Sequence, residues 1–260
     1  MQHVPVDYAP RLRRVDFVAG AKIGTAGWSI ASSSAQAFPA EGTSLERYMA
    51  RFSCAEINSS FHRPHRPATY ERWAAAVPED FRFSVKLAKT ITHKQRLVEA
   101  EDLLRAFFGE IAGLEAKAAV LLVQLPPSLS FDPEVAESFF AFVRRISEIR
   151  VACEPRHASW FSDKADELLR GMEIARVAAD PAKVEVAAHP GGWQGFSYYR
   201  LHGSPVPYRS SYEPERLEAY AEAIRADLSE EREVWCIFDN TASSAATGNA
   251  LDLKKLLAGA

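Results

Sequence analysis

Only three of the 260 residues are cysteine, Cys54, Cys153 and Cys236, and no two of them form a CxxC pair. An odd number of widely spaced cysteines excludes a disulfide framework and a zinc ribbon, and is expected of buried thiols in a reducing, cytoplasmic compartment. No stretch approaches the ~18 consecutive apolar residues of a membrane span. Charges in the first segment, MQHVPVDYAPRLRRVDF, stand where a secretory signal needs an apolar core. Glycine (13) and proline (15) are too scarce for collagen-like or low-complexity chains. Neither charge sign dominates: 31 basic residues against 34 acidic ones leave a net charge of −3, too balanced for a protein that coats nucleic acid non-specifically. Glycine-rich dinucleotide and Walker sequences are missing, and so is a Gly-x-Ser-x-Gly nucleophile elbow.

What is present is a globular composition, 47% hydrophobic and 25% charged, with enough apolar mass for a large core. Short apolar or β-branched runs recur at Lys22–Gly27, Ser53–Asn58, Phe81–Lys86, Ala118–Leu125, Arg150–Glu154, Ile174–Ala178, Ser197–His202 and Val234–Phe238. Helical patterns are predicted at Ser44–Arg51, Ala68–Ala76, Ala100–Leu114, Pro133–Ser147, Asp163–Arg170, Pro214–Leu228 and Leu251–Leu257, the first opened by a Thr43…Glu46 capping box. Successive strands begin roughly one βαβ unit, about 30 residues, apart. Eight such units predict an α/β fold, a single TIM (β/α)8-type barrel over residues 21–260, with residues 1–20 as an N-terminal extension. The segment from Asp180 to Gly195 has room for a short or irregular helix at most after the sixth strand. A doubly wound open sheet is therefore the second choice.

Strand side chains alternate between faces, so parity sorts them. Glu56 with Asn58, Ser84 with Lys86, Glu154 with Arg156, and Arg200 with His202 each share a face opposite an apolar set. All lie toward the C-terminal ends of their strands, where barrel enzymes place their chemistry. With Gln124, Asp239 and Asn240 they are expected to converge on one mouth, as a ligand site or as a salt-bridge plug.

Those segments also carry a resemblance. The strings IGTAGW (Ile23–Trp28), EINSSFHR (Glu56–Arg63), RFSVKLAKTITHKQRL (Arg82–Leu97), LLVQLPPS (Leu121–Ser128), EPRHASWF (Glu154–Phe161), RLHG (Arg200–Gly203) and FDNTASSAATGNAL (Phe238–Leu251) resemble the YecE-like family, domain of unknown function number seventy-two. The resemblance implies a TIM barrel and a candidate site but no reaction, because the family's activity is not established. The chain departs from the family pattern at His62 (usually Tyr), Pro155 (usually Phe) and Asp239 (usually Asn).

Glu56, Glu154 and His202 are the candidate catalytic residues: two carboxylates from different strands can divide acid and base roles, and the histidine is a candidate base. Arg156 and Arg200 suit bidentate recognition of phosphate or carboxylate, and Lys86 adds a point charge. Asn58, Gln124, His157, Asn240, Trp28 and Trp160 complete the candidate substrate contacts. The small polar loop Asn240–Asn249 stands where many barrels bind phosphate, although Thr247–Asn249 could simply cap the last helix. No cofactor is expected, and a divalent cation on Glu56, Glu154, His202 and Asp239 is disfavoured by the neighbouring cations. The favoured reading is a hydrolase or an isomerase or lyase acting on a small anionic ligand, a phosphorylated sugar or nucleotide-like molecule. Second are a nucleic-acid binder or phosphodiesterase using Arg63, Arg66, Lys89, Lys94 and Arg96, and a ligand-binding barrel without turnover. Ser204–Pro214 reads as an ordered loop over the mouth.

Overall fold

The computed structural model describes residues 12–13 and 20–259, so the expected N-terminal extension and His3 lie, Leu12, Arg13 and Gly20 apart, outside the described residues. Strands β1 (Lys22–Thr25), β2 (Cys54–Ile57), β3 (Arg82–Lys86), β4 (Ala118–Gln124) and β5 (Arg150–Glu154) each fall in a predicted run. The sixth run divides into β6 (Ile174–Arg176) and β7 (Ala178–Asp180), followed by the two-residue β8 (Gly191–Gly192), then β9 (Phe196–Leu201) and β10 (Glu233–Phe238). Helices α1 (Ser44–Met49), α2 (Pro67–Ala75), α3 (Glu101–Ile111), α4 (Pro133–Ile146), α5 (Asp163–Gly171), α6 (Pro214–Ser229) and α7 (Ala246–Ala258) lie between and after them.

Local chemistry explains the helix starts. Thr43 and Glu46 form the expected capping box at α1, the Asp132 side chain accepts from the Glu134 and Val135 N–H groups at α4, and Ser162 caps α5. Pro occupies the first turn of α2, α4 and α6, where its missing N–H costs nothing. Helix α7 starts five residues before the predicted Leu251. Its first turns carry the small residues Ala246, Thr247, Asn249 and Ala250, which are buried beside β1 and β10 without showing an apolar period.

The fold is mixed α/β with parallel sheets. One sheet runs β1-β10-β9-β7, the other β2-β3-β4-β5-β6-β8, and every ladder is parallel except β6 with β8. Among the described residues no sheet closes on itself. Between β1 and β2 there is a single parallel bridge, Ala26 to Glu56, with the Gly27 N–H donating to the Glu56 carbonyl at 2.8 Å. Only Val177 separates β6 from β7, and its N–H donates to Cys153 of β5 at 2.8 Å. Gly24 permits the β1–β2 approach: a Cβ there would stand 2.4 Å from the Cys54 carbonyl oxygen. Gly24→Ala is accordingly expected to destabilise by about 1–3 kcal/mol, the usual cost of overpacking. Urea unfolding would show a lower midpoint at unchanged slope, and an unchanged midpoint would mean that the two strands part at no cost.

Parity holds in space. The large core lies between the strands and helices and holds Ile57, Phe83, Val85, Leu121, Cys153, Tyr199 and Leu201. A second cluster gathers the opposite parity of both sheets: Cys54, Val120, Leu122, Ala152, Ala175, Tyr198, Trp235 and Ile237. All three cysteines are free and buried, and burial pushes their thiols upward, Cys54 to about 12.

Candidate functional site

Above that second cluster, at the C-terminal ends of the strands, the same parity turns polar. Arg200, on β9, is the hub and has no solvent exposure. Its Nε and Nη2 donate to the two oxygens of Glu56 at 3.0 and 2.8 Å, Nη1 donates to Glu154 Oε2 at 3.1 Å, and Nη2 lies 2.8 Å from Asp239 Oδ2. His202, just past β9, bridges two of the same carboxylates: Nδ1 lies 3.0 Å from Asp239 Oδ2 and Nε2 2.9 Å from Glu154 Oε1. Gln124 donates to Glu154 Oε2 at 3.0 Å, and the Tyr198 hydroxyl sits 3.1 Å from Glu56 Oε2. Strands β2, β4, β5, β9 and β10 thus contribute to one buried ion-pair network. A planar guanidinium suits this position because it presents several donors in a fixed fork, so one cation can serve three carboxylates.

The network sets its own protonation. Burial alone would raise the Glu154 carboxyl, but Arg200, His202 and Arg156 hold it well below the usual carboxylate range, and Arg200 and His202 hold Asp239 low against the same burial. Burial disfavours a charged His202, yet the Glu154 carboxylate and the Asp239 hydrogen bond outweigh it and raise its pKa. The shift favours the protonated form of His202, whose two ring nitrogens are both engaged by carboxylates. The Arg200 guanidinium fills the space between the carboxylates. Among the described residues no group of three or more His, Cys, Asp or Glu side chains is arranged to hold a metal ion.

The network meets solvent on one side. Arg156 donates through Nε and Nη2 to Glu154 Oε1, at 3.3 and 3.0 Å, and through both terminal nitrogens to the Tyr208 hydroxyl at 3.3 Å. Tyr208 adopts left-handed backbone geometry (φ 67°), unusual for a non-glycine residue, and its N–H donates to the His202 carbonyl. Here a cleft of about 200 Å³ opens, lined by Glu154, Arg156, Lys183, His202 and Tyr208 among others. A second, polar cleft of about 280 Å³ lies where β1 and β10 end, between Thr25, Ser29, Thr241, Ser244 and Thr247 at the start of α7. Lys86, the last residue of β3, stands apart. It is 5% exposed, its Nζ lies 4.3 Å from the centre of the Phe61 ring, and it joins none of the network's ion pairs.

The model of a protein family described as "protein of unknown function DUF72" matches residues 22–260. The chain belongs to the DUF72 family. It is 30% identical to the UPF0759 protein YecE of Escherichia coli K12 over 151 residues, 56% of this chain, and that match spans about half (55%) of the relative's length. To the UPF0759 protein YunF of Bacillus subtilis it is 24% identical over 90% of this chain and 94% of the relative. Two solved DUF72 structures share the fold: that from Thermotoga maritima (TM-score 0.74, 24% identity, covering 92% of this chain and 99% of that one) and that from Enterococcus faecalis (0.75, 20%, 92% and 96%).

Within this DUF72 chain the expected site residues separate. Glu56, Gln124, Glu154, Arg156, Arg200, His202 and Asp239 come together. Trp160 does not: it is buried, donates its indole N–H to the Leu129 carbonyl at 3.0 Å and packs on Phe131, so it belongs to the core. His157 turns away to cap the 158–161 turn, its Nδ1 2.9 Å from Ser159 Oγ. Trp28 is edge-on to Trp73 and Phe83. Asn240 clamps loops, donating to the Ser210 carbonyl at 2.9 Å and to Asn249 Oδ1 at 2.8 Å. Asn249 in turn accepts from the Tyr212 N–H, and Thr247 donates to the Ser29 carbonyl, so neither caps α7. Among the described residues, the buried Oδ1 atoms of Asn58 and Asn240 have no hydrogen-bond donor. Sequence reasoning left Tyr198, Tyr208 and Lys183 out of the site. Parity with Arg200 could have found Tyr198, and the loop read as a cover over the mouth holds Tyr208; nothing in the sequence marks Lys183. No described helix is long and apolar enough to cross a membrane.

Proposed function

We propose that this protein is an enzyme that binds a small anionic ligand, a phosphorylated sugar or nucleotide-like molecule, where its strands end. The cleft at Arg156 carries this reading. Arg156, Arg200 and Lys86 face the three carboxylates Glu56, Glu154 and Asp239, and of these cations Arg156 lines the cleft, where its guanidinium can meet an anion. In this reading Arg156, Lys183 and the Tyr208 hydroxyl hold the anion, and His202 delivers a proton to a leaving oxygen. Glu154 keeps His202 charged and oriented. Glu56 acts through Arg200 and is a positioning residue. We read the two sheets as halves of one (β/α)8-type barrel forming a single domain over residues 21–260. The Ala26–Glu56 bridge, the one-residue step from β6 to β7 and the interior cluster drawn from both sheets support it. Nucleic acid is a weaker choice, since Arg96, one of the expected phosphate contacts, is tied to Ser128.

Calorimetric titration with inorganic phosphate and with sugar phosphates tests the reading. Wild type is expected to bind, Arg156→Ala about tenfold or more weakly, as loss of hydrogen bonds to a charged group implies, and Tyr208→Phe a fewfold more weakly. Wild-type binding that is undetectable at millimolar ligand, or unchanged by Arg156→Ala, would sink it.

A further inference from the structure

Lys86 is the charged side chain that the network does not use. It is 95% buried by area, yet among the described residues its Nζ makes no hydrogen bond and no ion pair, and it lies over the face of the Phe61 ring. An ammonium that only needed neutralising would be seated against Glu56, Glu154 or Asp239, whose charges it feels, but Arg200 already occupies their oxygens. The result is a desolvated amine beside a fixed cation, at the ends of strands that also bring the titratable His202. That is the arrangement that activates a lysine as a nucleophile toward carbonyl carbon.

We propose that Lys86 forms an imine with an aldehyde or ketone that carries a carboxylate or phosphate. The carbonyl defines the substrate more narrowly; its anionic group rests on the ligand reading given above. The Nζ lone pair adds to the carbonyl carbon, forming the C–N bond. The C–O bond then breaks and the oxygen leaves as water, taking two of the three protons of the original ammonium. The third stays on nitrogen, so the product is an iminium ion of the same charge. Burial first, and then the Arg200 charge, push the Lys86 pKa down to about 8 against pulls from Glu56, Glu154 and Asp239. The other charged group it acts on is His93, whose pKa is lowered by burial and then by Lys86 and Arg156. At neutral pH Lys86 therefore offers far more free amine than an ordinary lysine of pKa 10.5.

The test is reductive trapping of the intact protein at pH 7 with glyoxylate or glycolaldehyde phosphate and cyanoborohydride, followed by peptide mapping. A single secondary amine is expected at Lys86, formed about tenfold or more faster than at the exposed Lys94 and Lys183. It should be lost in Lys86→Arg, which keeps the charge but forms no imine. Adduct spread over surface lysines with Lys86 unmodified overturns the proposal, and mapping on wild type gives that answer even if the variant fails to fold. Inorganic phosphate separates the two readings. Phosphate that slows trapping at Lys86 supports both, whereas trapping at Lys86 indifferent to phosphate supports the imine and removes the anion site. Phosphate binding by calorimetry without any Lys86 adduct removes the imine alone.

Discussion

Arg200→Met is expected to leave the protein insoluble or to lower its Tm by about 10 °C or more. The substitution keeps an unbranched stem of similar reach but strands Glu56, Glu154 and Asp239, three carboxylates that share one guanidinium with no exposure. Breaking a buried ion pair by removing one partner costs about 3–5 kcal/mol, a large part of a typical 5–15 kcal/mol of stability. At this chain length each kcal/mol is worth roughly 2–4 °C. Arg200→Lys should recover only part of the loss, because a point ammonium cannot present the fork that meets Glu56 at two oxygens and Glu154 at a third. A thermal scan in which Arg200→Met melts within a degree or two of wild type would show that the network is not the keystone of this end of the fold.

Lys86→Met should act in the opposite direction and stabilise the protein at pH 7. A folded-state pKa pushed down from 10.5 to about 8 means that holding the ammonium in place costs on the order of 3 kcal/mol. Below pH 8 Lys86 is charged in both folded and unfolded chains, and the full penalty applies. Between about pH 8 and 10.5 the unfolded chain holds a proton that the folded one has released, so wild-type stability rises with pH and the advantage of Lys86→Met shrinks. Above 10.5 the difference should vanish. Urea titrations of both proteins at pH 7 and pH 10.5 give the comparison. A variant that is no more stable at pH 7, or whose advantage is the same at both pH values, would mean that Lys86 carries no such burden. A residue that costs stability where methionine would fit is what a functional role at that position entails.

The Lys86 and Arg200 predictions differ in sign although the two cations belong to the same end of the sheets, and the reason is partnership. Arg200 has carboxylate oxygens on three sides; Lys86 has a phenyl ring. Both residues were legible as inward-facing from the period of two along β3 and β9. Which of them would be paired was not legible, because it depends on how side chains from strands more than a hundred residues apart meet in space: Arg200 lies 144 positions from Glu56. The same limit applies to Trp160 and His157. Trp160 and His157 follow Glu154 closely in sequence, but the turn at 158–161 takes one into the core and spends the other on a cap. Helix α7 hid its first turns for a local reason, since small buried residues carry no apolar period.

By itself the sequence determined the alternation of strand and helix, the face each strand turns inward and the concentration of charge at strand C-termini, because these follow from backbone periodicities of 2 and 3.6 and need no knowledge of neighbours. Tertiary structure alone decided that the described ladders divide into two sheets with one bridge between β1 and β2, that His202 lies between two carboxylates, and that Lys86 makes no ion pair among the described residues. Those outcomes are set by distances of about 3 Å between groups remote in the chain, and at that range a few ångströms separate an ion pair from an isolated charge.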